Sequence, residues 1–205
     1  MGRYGNTVGS RAILSYQQQA IIVGKVLGDG CLEKNGLHVR LKIEQTDKQK
    51  EYVFWLYQKL QPFVGRSPLA VLHSGIDRHQ TKRWRFATLS LPIFDQYKTL
   101  FYQNQHKIVP SNIISFLKHP LTLAIWYMDD GYLRTDKSGA YLCTSSFTNA
   151  EQQLLQDALK QNFELTTNVH FAYGYARLHI PSSNKEHFMQ IIKPYVLACM
   201  QYKLL

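Results

Sequence analysis

Cysteine is scarce: the 205 residues contain three, Cys31, Cys143 and Cys199, far apart and with no Cys-x-x-Cys pair. That excludes a disulfide framework and a thiolate zinc site, and fits a reducing compartment. Long apolar runs are missing too. No stretch reaches the length of a membrane span, and the opening Met1-Gly-Arg-Tyr-Gly-Asn6 does not read as a secretory signal. The eight histidines show no metal-ligand spacing, and neither a P-loop nor a dinucleotide fingerprint occurs. Acidic residues are the other shortage, with 14 Asp+Glu against 24 Lys+Arg and a net charge of +10. Such an excess suggests a polyanionic partner, although ribosomal and other soluble basic proteins share it. What is present in quantity is core material. Hydrophobic residues make up 45% of the chain, which rules out wholesale disorder and suits one large domain or two small ones fused tightly.

The chain repeats itself. Residues 20–31 (AIIVGKVLGDGC) and 121–132 (LTLAIWYMDDGY) are apolar helical stretches that end in Asp29-Gly30 and Asp130-Gly131. After the first come a turn at Asn35-Gly36 and an alternating stretch. Leu37, Val39, Leu41 and Ile43 take one face there, and His38, Arg40, Lys42 and Glu44 the other. This predicts a half-buried hairpin strand with a basic outer face. After the second come a short strand from Tyr132, a turn near Ser138-Gly139, and a strand from Ala140 to Ser145. Each hairpin meets a helical run, Asp47 to Leu60 with an apolar stripe of Tyr52, Trp55, Leu56 and Leu60, and Thr148 to Phe163, where Thr148 and Glu151 read as a capping box. A second strand pair follows in each half. Arg83 and Arg85 alternate with Trp84 and Phe86 in the first; Tyr173, Tyr175, Arg177 and His179 oppose Ala176, Leu178 and Ile180 beyond Gly174 in the second. Helices from about Pro92 to Phe101 and from Ser182 to Leu197 close the halves. The polar segment from Asn104 to Pro110 is the expected linker. The fold class is therefore α+β, with residues 1–103 as one half, 104–118 as the connection and 119–205 as the other half. The halves differ in charge: residues 1–105 carry 15 Lys+Arg against 7 Asp+Glu, and residues 106–205 carry 9 against 7. Two basic hairpins in one half point to a nucleic-acid surface rather than an ordinary solvated sheet face.

Gly24 and Gly28 are four apart, share one helix face and leave it bare. Each glycine costs a helix roughly 1 kcal/mol, so the pair calls for a close contact with a second helix, which the stretch 101 positions later can supply. Gly30 and Gly131 fit as left-handed caps, placing Asp29 and Asp130 at their helix ends. If the helices pair in parallel, two carboxylates and two negative dipole ends converge, an arrangement that divalent cations relieve. Oxygen donors without soft ligands suit Mg²⁺.

These paired stretches resemble the LAGLIDADG homing endonucleases in their single-chain, two-motif form. The motifs lie on Ile22-Val-Gly-Lys-Val-Leu-Gly-Asp-Gly30 and Leu123-Ala-Ile-Trp-Tyr-Met-Asp-Asp-Gly131. Gln49-Lys-Glu-Tyr52, Trp126-Tyr-Met-Asp-Asp-Gly131 and Ile192-Lys-Pro-Tyr195 resemble stretches of the organellar, intron-encoded branch. The resemblance covers nearly the whole chain. It implies two pseudo-twofold-related αββαββα halves packed through their motif helices, with antiparallel sheets forming a saddle over the DNA major groove. It also implies a monomer that makes a staggered double-strand break in a long double-stranded target by divalent-metal-dependent hydrolysis, with Mg²⁺ or Mn²⁺. The family's catalytic acids fall on Asp29 and Asp130, with the carbonyls of Gly28 and Asp129 also reaching the metals. Its lysines fall on Lys107 and Lys203, and Glu44 or Gln45 positions water or metal. The second-half counterpart, around Cys143-Thr144, is not acidic, which implies two unequal sites. Ile125 and Asp129 stand where small residues give the closest helix contact, so the central packing is expected to be asymmetric. Arg40, Lys42, Arg83 and Arg85 in one half, and Arg134, Tyr175, Arg177 and His179 in the other, are the candidate DNA-reading residues. The location implied is intracellular, in a chloroplast or mitochondrion for an organelle-encoded member, with no membrane role. A maturase assisting group I intron splicing on the same scaffold is the alternative, and a noncatalytic DNA-binding regulator is a third reading.

Overall fold

The computed structural model describes residues 13–74, 80–172 and 175–205. The first half opens with α1 (Tyr16–Leu27). Ser15 caps it: its Oγ accepts from the Gln18 N–H at 3.2 Å, and the Gln18 side chain accepts from the Ser15 N–H at 3.0 Å, satisfying two orphan donors reciprocally. From Ala20 to Leu27 every residue is buried, which marks a helix enclosed by protein on all sides. A hairpin follows, β1 (Cys31–Asn35) and β2 (His38–Thr46). Gly36, at φ +73°, occupies the left-handed region its turn requires. Leu37 does not join the strand's apolar face as expected: it sits in the turn and is 84% exposed, because the hairpin reverses at Gly36–Leu37 before the alternation begins.

A 3-10 turn over Asp47–Gln49 leads into α2 (Lys50–Lys59), whose Tyr52, Val53 and Leu56 are buried on the sheet. Strands β3 (Leu69–Ser74) and β4 (Gln80–Ala87) and helix α3 (Pro92–Phe101) complete the half. The segment Asn104 to Pro110, expected as a simple linker, begins with the turn of a small hairpin. Strands β5 (Tyr102–Gln103) and β6 (His106–Lys107) pair across Asn104 and Gln105, both at positive φ, the backbone of a tight two-residue turn.

The second half repeats the order: α4 (Pro120–Asp130), β7 (Gly131–Leu133), β8 (Ala140–Cys143), α5 (Asn149–Phe163), β9 (Asn168–Ala172), β10 (Tyr175–Ile180) and α6 (Ser182–Ile192). The capping box at Thr148 and Glu151 is present. The last helix stops at Ile192 rather than Leu197, as Pro194 turns the chain into a 3-10 segment over Lys193–Tyr195; proline cannot donate to a continuing helix. A further 3-10 segment, Ala198–Leu204, ends the chain. The two antiparallel sheets run β1-β2-β4-β3 and β7-β8-β10-β9, one topology written twice. Ala176, Leu178 and Ile180 of β10 are buried while Tyr175 is exposed; Tyr173 and Gly174 lie outside the described residues.

The halves meet through α1 and α4. A Cβ added to Gly24 would lie 2.7 Å from both the Ile125 Cβ and the Thr122 carbonyl oxygen, and one added to Gly28 would lie 2.6 Å from the Asp129 Cβ. Contacts that advance in the same direction along both helices make the pairing parallel. The packing is asymmetric for a plain steric reason: the glycines of α1 admit the bulk of Ile125 and Asp129. Gly30 and Gly131, expected as left-handed caps, are not. Gly131 is extended at φ −88°, ψ 154°, and among the described glycines only Gly36 has positive φ. Both are glycine for want of room, since a Cβ would strike the Lys25 carbonyl oxygen at Gly30 and the Tyr127 ring at Gly131.

Candidate active site

Asp130 is the last residue of α4, and Asp29 follows Gly28, the cap of α1. Parallel pairing brings the two ends together so closely that the Asp129 carboxylate accepts the backbone N–H of Asp29 at 3.0 Å. Both acids therefore stand at one place, on the internal dyad. Burial pushes the Asp130 carboxyl up to about 7, reinforced by the charges of Asp29 and Asp129 and opposed by Lys107 and Lys203. Desolvation and like charge both disfavour the ionised form, so the cluster holds more negative potential than its own lysines relieve.

The two lysines take matching positions. Lys107, carried by β6, donates to the carbonyl of Gly28. Lys203, in the terminal 3-10 segment, donates to the carbonyl of Asp129 at 2.9 Å, and its own carbonyl accepts from the Tyr127 hydroxyl at 2.8 Å. Each lysine thus caps the residue immediately before an acid. Burial lowers both ammonium groups below the usual lysine range, against the pull of the aspartates.

Gln45 and Glu44, adjacent in β2, part company. Gln45 is buried, and its amide donates to Asp29 Oδ2 at 2.9 Å and to Asp129 Oδ1 at 3.3 Å. Glu44 turns to the open face, 3.1 Å from His73 Nε2 and 3.6 Å from Arg83. It still lines, with Asp29, Cys31, Lys42, Gln45 and Arg83, a cavity of about 390 Å³ beside the acids.

Two participants were not picked out by the sequence reading, and a third was given only part of its role. Lys25 lies fully buried in α1, 2.6 and 2.8 Å from the two carboxylate oxygens of Asp129. Tyr52, read as part of an apolar stripe, donates its hydroxyl to Asp129 Oδ1 at 3.1 Å. Asp129 itself was assigned a carbonyl role only; its side chain is buried and gathers four donors. Burial pushes its carboxyl up, with Lys25 acting against that. The signal was available: a lysine inside an otherwise uncharged apolar helix, and a second aspartate where the facing motif helix needs a partner.

The candidate DNA-reading residues fall on the solvent-facing sides of the two sheets. Arg40 is held by Glu33 through Nε at 2.8 Å and a terminal nitrogen at 2.6 Å. Arg40, Lys42 and Arg85 line a cavity of about 580 Å³ together with Arg66, a cation the sequence reading did not single out. The second sheet is more aromatic. Arg177 donates to the Tyr132 hydroxyl, His179 stacks on His170 with centroids 4.2 Å apart, Arg134 pairs with Asp136 at 2.9 Å, and Tyr175 is exposed.

The family model for the LAGLIDADG DNA endonuclease family matches residues 19–188. The chain belongs to that family. It is 32% identical over 209 residues to the DNA endonuclease I-ChuI of Chlamydomonas applanata, covering 93% of this chain and 95% of the relative. It is 28% identical to the cytochrome b mRNA maturase bI2 of Debaryomyces hansenii, covering 93% of this chain and 74% of that one. Its fold matches the homing endonuclease I-WcaI bound to its DNA recognition sequence, with a TM-score of 0.88 and 26% identity over 95% of this chain and 88% of that one. The chain is thus a LAGLIDADG endonuclease in which one polypeptide supplies both halves, a hydrolase of DNA phosphodiesters from a family whose nucleases are in general metal-dependent. Among the described residues, no helix is long and apolar enough to cross a membrane.

Proposed function

We propose that this LAGLIDADG endonuclease, acting as a monomer, cuts each strand of a long duplex target once, leaving a staggered break, and that Asp29, Asp130, Lys107 and Lys203 carry the chemistry. The observation that supports this most is the doubled arrangement at the dyad: two acids, each preceded by a carbonyl that a half-buried lysine caps. Two sheets with basic and aromatic outer faces, one from each half, suit a duplex whose strands each present one phosphodiester to the paired acids. We further take residues 1–103 and 119–205 as the halves and 104–118 as the connection that delivers Lys107.

The donor set fits Mg²⁺ or Mn²⁺. It consists of hard oxygens, the carboxylates of Asp29 and Asp130 with the carbonyls of Gly28 and Asp129 beside them. Among the described residues, no group of three or more His, Cys, Asp or Glu side chains is arranged to hold a metal. Phosphate oxygens of the substrate would complete the coordination, which is how Mg²⁺ is commonly held. Bound there, divalent ions supply an activated water and neutralise the departing oxygen. Gln45 keeps the Asp29 carboxylate oriented. Lys107 and Lys203 set positive charge beside the phosphate oxygens on which negative charge develops. Glu44, lining the cavity next to Asp29, orders water there. Arg40, Lys42, Arg83 and Arg85, with Arg134, Tyr175, Arg177 and His179, read the target through base edges, phosphates and DNA shape.

The test is cleavage of a library of duplex targets with and without Mg²⁺. Wild type should give metal-dependent staggered ends at one sequence, and Asp130→Asn should bind that sequence without cutting it. Equal loss of binding and cutting would refute a mainly catalytic role for Asp130. The similarity to an mRNA maturase supports a second reading, assistance of group I intron splicing. Intron RNA bound and spliced with no DNA cut would establish it. Relatives named as intron-encoded support an intron-borne gene, and with it a chloroplast or mitochondrial setting.

A further inference from the structure

We propose that Lys25, acting through the carboxylate of Asp129, is a positioning residue for Asp29. This rests on the endonuclease reading above and concerns groups to which that reading gives no part. Lys25 and the Asp129 side chain are both fully buried, with Nζ 2.6 Å from Oδ2 and 2.8 Å from Oδ1. As packing alone, such a pair has no advantage, since apolar side chains of similar volume usually do as well or better. What the pair adds is direction. The ammonium fixes a carboxylate that then serves as a hub: Oδ2 accepts the backbone N–H of Asp29 at 3.0 Å, while Oδ1 accepts the Tyr52 hydroxyl at 3.1 Å and the Gln45 amide at 3.3 Å. The same Gln45 amide holds Asp29 Oδ2 at 2.9 Å. Asp29 is therefore gripped at its main chain and its side chain by one charge anchored in its own helix and handed back across the dyad.

Asp130 has no such frame. Among the described residues, no hydrogen-bond donor reaches its carboxylate. The motif helices thus carry one device between them, and it serves one acid. Losing the hub frees Asp29 while breaking no hydrogen bond to the Asp130 carboxylate, so the two strand cuts should separate in time. Groups that orient metal-binding side chains typically account for 10–100-fold in metal affinity or activity.

The decisive variant is Lys25→Leu/Asp129→Ala, which removes both charges together and leaves neither orphaned. The substrate is supercoiled plasmid carrying the selected target. Circular dichroism and thermal melting establish the fold, and DNA affinity is measured in Ca²⁺. Single-turnover cleavage is then followed across a Mg²⁺ titration. The expected result is DNA affinity within about threefold of wild type, a cleavage rate constant reduced about 10–100-fold, a Mg²⁺ midpoint raised about tenfold, and nicked circles accumulating before linear product. A purely structural pair would not shift the metal midpoint or split the two cuts. Tyr52→Phe, which deletes one donor to Asp129 and little volume, should raise the Mg²⁺ midpoint and the nicked fraction by a smaller factor, and it decides the matter should the double variant not fold. A folded double variant with wild-type rate and midpoint overturns the proposal, as does an unchanged midpoint in Tyr52→Phe. Wild-type protein that cuts no target removes the endonuclease reading and this inference with it, whereas a cutting wild type matched by its double variant removes the inference alone.

Discussion

Replacing Asp130 with Asn should make the metal-free protein more stable at pH 8, and the surroundings of that carboxyl set the size of the gain. Burial and two neighbouring aspartates raise it from 3.8 to about 7 even with Lys107 and Lys203 nearby. In the unfolded chain it titrates near 3.9. Between those values the folded state binds the proton more tightly than the unfolded one, so stability falls as pH rises from about 4 to about 7 and then levels off. Ionising such a group costs roughly 4 kcal/mol of folding free energy. Asp130 is only partly buried, and solvent screening reduces this to about 2 kcal/mol. Asn mimics the protonated carboxyl, so Asp130→Asn and wild type should melt together near pH 4 and diverge above pH 7. For a chain of this size, about 2 kcal/mol corresponds to roughly 4–8 °C in Tm. Thermal melts in EDTA across pH 4–8 measure this directly, and adding Mg²⁺ at pH 8 should narrow the gap by stabilising wild type more than the variant. A variant that melts at or below the wild-type temperature at pH 8 would refute the claim that the acids repel one another in the free protein.

Four further outcomes follow from particular positions. Lys107→Met and Lys203→Met should each slow single-turnover cleavage by about 10²–10³-fold with little change in DNA affinity, as quench-flow and equilibrium binding will check. Gly24→Ala forces a Cβ to within 2.7 Å of Ile125 and the Thr122 carbonyl and should cost roughly 1–3 kcal/mol, read as a lowered urea midpoint. Leu37→Ser, at an exposed turn position, should stay within about 0.5 kcal/mol of wild type. If Lys42 neutralises a phosphate, Lys42→Ala should reduce the log-affinity against log-salt slope by about 0.9 for every duplex; an unchanged slope excludes that contact.

Much of the architecture was legible in residue order, because repetition and periodicity are properties of sequence. The doubled helix-hairpin-helix-hairpin-helix pattern, the Thr148–Glu151 capping box and the alternation of β10 are local matters, decided by neighbours three or four positions away. The errors were also local. Gly30 and Gly131 have the composition of left-handed caps, but whether a glycine supplies backbone freedom or mere room depends on what lies against it. For Gly131 that is the Tyr127 ring, and for Gly30 the Lys25 carbonyl.

The two motifs, read as a pair, determined the family, and helical spacing put Gly24 and Gly28 on one bare face that calls for a close helix contact, with Asp29 and Asp130 at the helix ends. Only the tertiary structure decided that the Asp129 side chain turns inward to Lys25, Gln45 and Tyr52, and that Lys107 and Lys203, 96 positions apart, cap equivalent carbonyls. A buried charge finds its partner through geometry and desolvation, and sequence distance holds no record of either.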